Sequence, residues 1–334
     1  MTRLLVAGLG LIGARHAALV RDHPSFVLAG VIDPDAAARA RWDVPGFDDI
    51  ADVDVSADGV IIATPTHLHA RHAAQAAARG WGLLIEKPVA DNRDDCAAIL
   101  DATHDVPTLV GHHRRHHPRV RRLADLIAGG AIGTPVTASL IWAVKKPAPY
   151  FEVDWRKGRA GSPILINLVH DVDLLRHLFG EVTHVSGHGR NADGRIQSGA
   201  VALGFDSGVS ATIAFADTTP VPWGFEAGTG ENPNIGTTGQ DMLWITGTGG
   251  GVSFPSLTLW GGAADWSEAA RPTTVAAPEG TPLVAQLEHF ADVIAGRVRP
   301  LIDARDGAAT LDATLRIEAA LSATDPSHAE GRLQ

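Results

Sequence analysis

The start of the chain constrains its fold most. Leu4-Leu5-Val6-Ala7 is an apolar run of strand length that ends in Gly8-Leu9-Gly10-Leu11-Ile12-Gly13. It passes into an alanine-rich stretch with helical spacing, Ala14, Ala17 and Ala18. In a strand–turn–helix of this kind the three glycines have different tasks. One makes the tight turn, one lets the backbone approach a pyrophosphate, and one lets helix pack closely on strand. The first turn of the helix, with Leu11 and Ile12, then offers unpaired N–H groups and a positive dipole end to phosphate. A second apolar run, 26–32, ends at Asp33, where such folds place an acid against the ribose hydroxyls of adenosine. A carboxylate there accepts hydrogen bonds from a diol and opposes a 2′-phosphate, so NAD is expected rather than NADP. Arg39 and Arg41 lie close by and are expected to be solvated surface residues.

At 334 residues the chain is long enough for two cores. Its 45% apolar and 20% charged content is that of a globular protein, and no apolar stretch approaches the roughly 20 residues of a membrane span. A formal charge of −10 argues against nucleic acid or anionic membrane as the main partner. Cys96 is the single cysteine, which excludes an internal disulfide and fits a reducing compartment. The N-terminus enters a strand directly, so no secretory leader and a cytoplasmic location are expected.

Strand and helix alternate through the first third. Apolar runs 59–63, 82–85 and 108–111 are separated by helices over about 68–79 and 91–102. This pattern predicts a doubly wound parallel sheet, with ligands outside the carboxyl ends of its strands. Those ends carry Thr64, Pro65 and His67, then Glu86-Lys87-Pro88, then His112-His113-Arg114-Arg115-His116-His117. From Pro118 the character changes. A helix over 119–128 precedes alternating segments at 135–144, 182–189, 200–205, 209–216, 241–246 and 252–260, which suit a mostly antiparallel sheet in an α+β domain. One helix interrupts them: Ser162-Pro163 reads as N-cap and first helical residue, and an apolar face runs from Ile164 to Leu178. Residues 218–239 read as a long loop, helices close the chain at 282–295 and 304–322, and 324–334 reads as a frayed tail. The expected division is residues 1–118 for nucleotide binding, 119–300 for substrate and oligomer contacts, and 301–334 for a C-terminal helix and tail.

The glycine fingerprint, Ala63-Thr64-Pro65-Thr66-His67-x-His69, Glu86-Lys87-Pro88, Gly111-His112-His113-Arg114-Arg115 and His170-Asp171-x-Asp173-Leu174-Leu175-Arg176 occur in one order. In that order and spacing the chain resembles the Gfo/Idh/MocA family of nicotinamide-dependent oxidoreductases, over residues 1 to about 320. The resemblance implies hydride transfer between nicotinamide and a secondary alcohol carbon of a sugar, cyclitol or polyol, without a metal. It also implies an open C-terminal sheet used for homodimer or homotetramer contacts, and a proline after the lysine that is often cis. Lys87 matches the family's active-site lysine, where an ammonium stabilises oxyanion character and relays a proton. A surface lysine at a strand end is the plain alternative. His170 matches the family's acid/base, and imidazole titrates in the right range. Its plain alternative is a satisfied core histidine.

The chain departs from the family at one position. Many polyol-oxidising members carry an aspartate four residues before this histidine, and here that residue is Ile166. Asn167, three residues before His170, is expected to hold a substrate hydroxyl, which an amide can do without taking a proton. Asp171 and Asp173 are orienting candidates. By resemblance Thr64, Pro65 and His67 flank the nicotinamide ribose, with Glu86 nearby. The four histidines 112, 113, 116 and 117 are interleaved with arginines, so a metal is not expected. His113 or Arg114 is expected to face substrate and the others to be solvated. Tyr150, Trp155 and Arg156, and in the long loop Trp223, Glu226 and Asn232, are equally substrate walls or packing. Two rivals stay open. One is reduction of a ketone or imine intermediate, and the other is a nicotinamide-binding sensor without chemistry.

Overall fold

The computed structural model describes residues 1–192, 195–276 and 278–322, apart from the side chain of Trp155. The expected frayed tail over 324–334 lies outside the described residues. The chain forms two compact units. The first comprises Met1–His117 and Gly280–Asp312, and the second Pro118–Glu279 with the chain from Ala313 onward.

In the first unit β1 (Thr2–Ala7) leads to α1 (Leu11–Asp22), then β2 (Phe26–Ile32), the short α2 (Ala36–Arg39) and β3 (Gly46–Phe47). After β4 (Gly59–Ile62) come α3 (His69–Ala77), β5 (Gly82–Ile85), α4 (Arg93–Ala102) and β6 (Thr108–Val110). The six strands are parallel in the order β3-β2-β1-β4-β5-β6. β4 and β5 are buried along their whole length, which is why they read as unbroken apolar runs and not as alternations.

The helix Pro282–Ile294 belongs to this unit and not, as the sequence division placed it, with the substrate domain. Leu287, Phe290 and Ala291 join the core of Leu4, Val6, Ile61 and Leu84. A Cβ at Gly59 would stand 2.8 Å from Ile294, and one at Gly82 2.6 Å from it. Two strands therefore open with glycine so that this helix can lie directly on the sheet. The following helix, Ala304–Ser322, is divided at Asp312 between the two units.

The second unit opens with α5 (Pro118–Ala128) and β7 (Pro135–Lys145), followed by α6 (Val169–Phe179) and the hairpin β8 (Val182–Ala192) and β9 (Arg195–Phe205). Next come β10 (Ser210–Ala216), β11 (Thr218–Trp223), α7 (Phe225–Thr229), β12 (Leu243–Gly247), β13 (Gly250–Phe254), β14 (Thr258–Gly261) and β15 (Arg271–Thr274). The order is β15-β14-β13-β12-β7-β10-β9-β8, with β11 also on β7. Among the described residues only β10 and β7 run parallel in this sheet, which is thus mixed and mostly antiparallel. Alternate residues such as Leu140, Trp142, Val201, Leu203, Ile213 and Phe215 pack into one core with α5 and α6, and the residues between them face outward.

Three expectations need correction. Residues 218–239 are not one loop, because β11 and α7 lie within them. The single strand over 252–260 is two strands, β13 and β14. The helix expected from Ser162 opens as a π-helical turn over Ile164–Leu168 before α6 begins. Pro163 and the β-branched Ile164 and Ile166 leave the apolar periodicity unchanged, so nothing in the pattern marked the wider turn.

Phe290 is fully enclosed in the first core. Phe290→Ala is expected to destabilise the chain by about 3–5 kcal/mol, read from denaturant unfolding.

Candidate functional site

Within the first unit the nucleotide fingerprint is held by contacts between backbones. Gly8 sits at φ +86°, and a Cβ there would lie 2.6 Å from the Ala63 carbonyl oxygen. A Cβ on Gly13 would lie 1.7 Å from the Gly8 carbonyl oxygen, whereas one on Gly10 would meet nothing within 4 Å. The loop is thus packed tight on its inner side and open at Gly10, as a cradle for a pyrophosphate requires. Leu11 stands 85% exposed on the first turn of α1. Asp33 closes the other side: its carboxylate accepts the Leu9 N–H at 2.7 Å and the Asp35 N–H at 2.9 Å. Arg39 is not a free surface cation. Its guanidinium donates to the Asp33 carbonyl and pairs with Asp48 at 2.7 Å.

The next strand ends bring up Thr64, Pro65 and His67 after β4 and Glu86-Lys87-Pro88 after β5, and the Lys87–Pro88 bond is cis. His67 and Pro65 are exposed, and Thr64 Oγ1 lies 3.0 Å from His72 Nδ1. His69, quoted in the sequence only as part of a motif, links these two loops. Its ring nitrogens stand 2.9 Å from the Thr64 carbonyl and 3.2 Å from that of Val89. Burial holds the imidazole below its usual range, so it is neutral and donates to one carbonyl at a time.

Glu86 is 5% exposed. His16 Nε2 lies 2.8 Å from its Oε1, and the Lys87 N–H donates to Oε2 at 3.1 Å. Burial pushes this carboxyl up. The His16 hydrogen bond and the charges of His16, Lys87 and His113 outweigh it and bring the group down to about 2. It is a carboxylate throughout the physiological range.

The histidine–arginine run after β6 differs from expectation. His113 is half-buried, whereas His112, Arg114, Arg115, His116 and His117 are all buried. Arg114, 1% exposed, does not face open solvent. Arg115 pairs with Asp306 at 2.5 Å, and the His116 ring lies 5.2 Å from that of His289. Their partners sit some 170 to 190 positions further along, beyond the reach of a local reading.

In the second unit His170, the second residue of α6, is buried, as are Asp171 and Asp173. Asn167 lies in the preceding π-turn, and its Oδ1 is buried without a hydrogen-bond partner among the described residues. The three residues from Asn167 to His170 therefore run from a π-helical turn into an α-helix, and do not follow α-helical spacing throughout.

Beyond β7 lies a charged cluster that sequence reasoning missed. Arg195 forms a buried ion pair with Asp217, and Lys146 Nζ is 3.6 Å from the same carboxylate. The ammonium stands 4.8 Å from the Tyr150 ring centroid and 6.0 Å from that of Trp142. Arg156 stacks 4.4 Å over Tyr150, and Arg195 lies 4.6 Å from the Phe151 ring. Glu226, from α7, accepts the Trp142 indole N–H at 3.2 Å. Trp223 ends β11 half-exposed, and Asn232 caps its own turn through the Asn234 N–H. Burial is the main reason that the Lys146 ammonium is pushed down to about 8, with Arg195 repelling it against the pull of Asp217. Burial likewise raises the Tyr150 phenol, which stays protonated.

With the glycine cradle, Asp33 and the parallel sheet in place, the first unit is an NAD(P)-binding Rossmann domain of an oxidoreductase. Residues 2–112 match the family model "Oxidoreductase family, NAD-binding Rossmann fold", and residues 120–253 match the GFO/IDH/MocA C-terminal domain. The chain belongs to the GFO/IDH/MocA family of oxidoreductases. It is 32% identical over 206 residues to 1,5-anhydro-D-fructose reductase of Ensifer adhaerens, a match covering 56% of this chain and 58% of that protein. It is 27% identical over 192 residues to inositol 2-dehydrogenase of Mycolicibacterium gilvum, covering 54% and 52%. The chain thus spans little more than half the length of these curated relatives. Its fold superimposes with a TM-score of 0.78 on scyllo-inositol dehydrogenase from Lactobacillus casei bound to NAD(H) and scyllo-inositol. That match is 18% identical and covers 97% of this chain and 98% of the other. No helix among the described residues is long and apolar enough to cross a membrane.

The lowered Lys146 carries a consequence for stability. Between about pH 8 and the ordinary lysine range the unfolded chain binds more protons than the folded one, so stability rises with pH across that window. Lys146→Met is expected to raise the melting temperature at pH 7 and to abolish the rise, as measured by thermal unfolding between pH 7 and 10.

Proposed function

We propose that this chain is an NAD-dependent dehydrogenase acting on a secondary alcohol of a sugar-, cyclitol- or polyol-like compound, polyhydroxylated acids included. The observation that carries the cofactor choice is the pairing around Asp33. Its carboxylate stands at the end of β2, and Arg39, the nearest candidate to answer a 2′-phosphate, is committed to Asp48 and to the Asp33 carbonyl. The substrate class rests on family membership and on the sugar and cyclitol names of the relatives.

In this reading Gly8, Gly10, Leu11, Ile12, Gly13 and Asp33 hold the dinucleotide, with Thr64, Pro65, His67 and Glu86 toward its nicotinamide half. When bound, the nicotinamide accepts or donates the hydride. Lys87 stabilises the charge that develops on the substrate oxygen, and His170 takes the alcohol proton or returns it. Asn167, whose buried Oδ1 has no partner among the described residues, accepts a substrate hydroxyl hydrogen bond. Asp171 orients the imidazole. His113 and Tyr150 are the further substrate contacts of this reading; Arg114 is enclosed, and the side chain of Trp155 lies outside the described residues. The same groups serve the reductive direction, which the reductase name of one relative favours. Outward-facing Thr137, Ser139, Thr212 and Trp244 suit assembly through the nine-stranded sheet as a homodimer or homotetramer.

The test is NADH absorbance at 340 nm with sugars, cyclitols and aldonates, run with NAD and with NADP. Turnover is expected to prefer NAD by at least ~100-fold, the scale of an opposed like-charge pair. His170→Ala is expected to bind NAD normally and lose turnover by at least ~100-fold. A His170→Ala enzyme with normal turnover removes its acid/base role. NAD binding by calorimetry with no turnover in either direction points to a sensor.

A further inference from the structure

His16 has no part in the nucleotide fingerprint, yet it is fully buried on α1, the helix whose N-terminus forms the cradle. Its Nδ1 is enclosed without a hydrogen-bond partner among the described residues, so the ring's polar contact is made by Nε2, to Glu86 Oε1. Since Glu86 is ionised and can only accept, Nε2 carries the proton. The second carboxylate oxygen accepts the main-chain N–H of Lys87. The neighbouring turn is built around this carboxyl group. A Cβ at Gly111 would stand 3.0 Å from Glu86 Cδ and 3.1 Å from its Oε1. The charged or titratable groups that act on Glu86 are His16 from α1, His69 from α3, the adjoining Lys87, and His113 after β6.

We propose that His16 is a positioning residue for Lys87 that acts through Glu86. The carboxylate is a two-armed clamp. One arm grips the helix that presents the phosphate cradle, and the other grips the main chain of the residue bearing the ammonium. The clamp sets the register between cofactor cradle and lysine, and it keeps a fixed negative charge next to that ammonium. This rests on the reading of Lys87 as catalytic, and sharpens it: the lysine's protonation and its placement are set from a helix more than 70 positions earlier in the chain.

The experiment is competitive acetylation of the full-length chain with NAD present, with acetic anhydride as the probe and Lys87 modification read by mass spectrometry at pH 8. Glu86→Gln removes the charge while keeping the shape. It is expected to raise Lys87 acetylation about tenfold, the equivalent of one unit in proton affinity. His16→Leu is expected to raise it in the same direction, and His16→Gln, which returns a donor, to stay within twofold of the parent. The double variant His16→Leu/Glu86→Gln is expected to match Glu86→Gln alone, because the polar contact the His16 ring makes among the described residues is to the Glu86 carboxylate. If His16→Leu fails to fold, Glu86→Gln and His16→Gln carry the same comparison. Parent-like acetylation in Glu86→Gln overturns the proposal, and so do effects of the two substitutions that add in the double variant. Turnover on the alcohol panel keeps the two ideas apart. Lys87→Met with normal turnover overturns the catalytic reading of the lysine and, with it, the positioning role. A dead Lys87→Met beside a His16→Leu enzyme with parent-like kcat and acetylation leaves the lysine catalytic and overturns the clamp alone.

Discussion

The first unit depends on a place where backbones pass too closely for any side chain. At the ends of β1 and β4 the main chains of Gly8, Gly13 and Ala63 are in direct contact, and a methyl group at either glycine would overlap a carbonyl. This contact draws α1 down onto the sheet. Once the helix is there, its first turn is aimed at the strand ends, Leu9 reaches the Asp33 carboxylate, and His16 reaches Glu86. Steric exclusion at two residues therefore decides where several hydrogen-bonding groups meet, and those groups add specificity to a geometry already imposed. Gly59 and Gly82 repeat the device beneath the helix Pro282–Ile294.

What was legible in the sequence was what is local. The glycine turn, the strand-ending Asp33, the Glu86-Lys87-Pro88 turn and the switch from buried runs to alternation are each encoded within a few residues, and they suffice for the class of both sheets though not for every strand. What was not legible has its cause elsewhere in the chain. A run of histidines and arginines after β6 looks solvated because such residues usually are. Here Asp306 and His289, far away in sequence, supply partners, and the run is buried. The helix Pro282–Ile294 shows only an apolar face, and nothing in that face says which of two cores it completes. β11 and α7 lie in a stretch rich in proline, glycine and threonine, whose strand pairing to β7 is a tertiary contact without a local signal.

The cluster around Asp217 illustrates the same limit for candidate sites. Lys146, Arg195 and Asp217 come from three strand ends separated by dozens of residues, and none stands in a motif. Brought together, they enclose two cations over one carboxylate among Tyr150, Phe151 and Trp142. Such an arrangement is costly in a low-dielectric interior, and the depressed Lys146 records that cost. Perturbed groups of this kind gather where proteins do chemistry or bind charge.

Arg39 gives the cofactor pocket a property that its acidic residue alone would not. The guanidinium is stapled to Asp48, at the far side of the β3 turn, and to the main chain of Asp33. Under the proposed NAD preference, redirecting this protein toward a phosphorylated dinucleotide is a two-part conversion. Erasing the carboxylate removes an obstacle, yet the cation that would greet the new phosphate remains engaged until Asp48 releases it. A lineage drifting between the two cofactors would pass through an intermediate suited to neither, so the proposed preference would be guarded by a valley as well as by a charge.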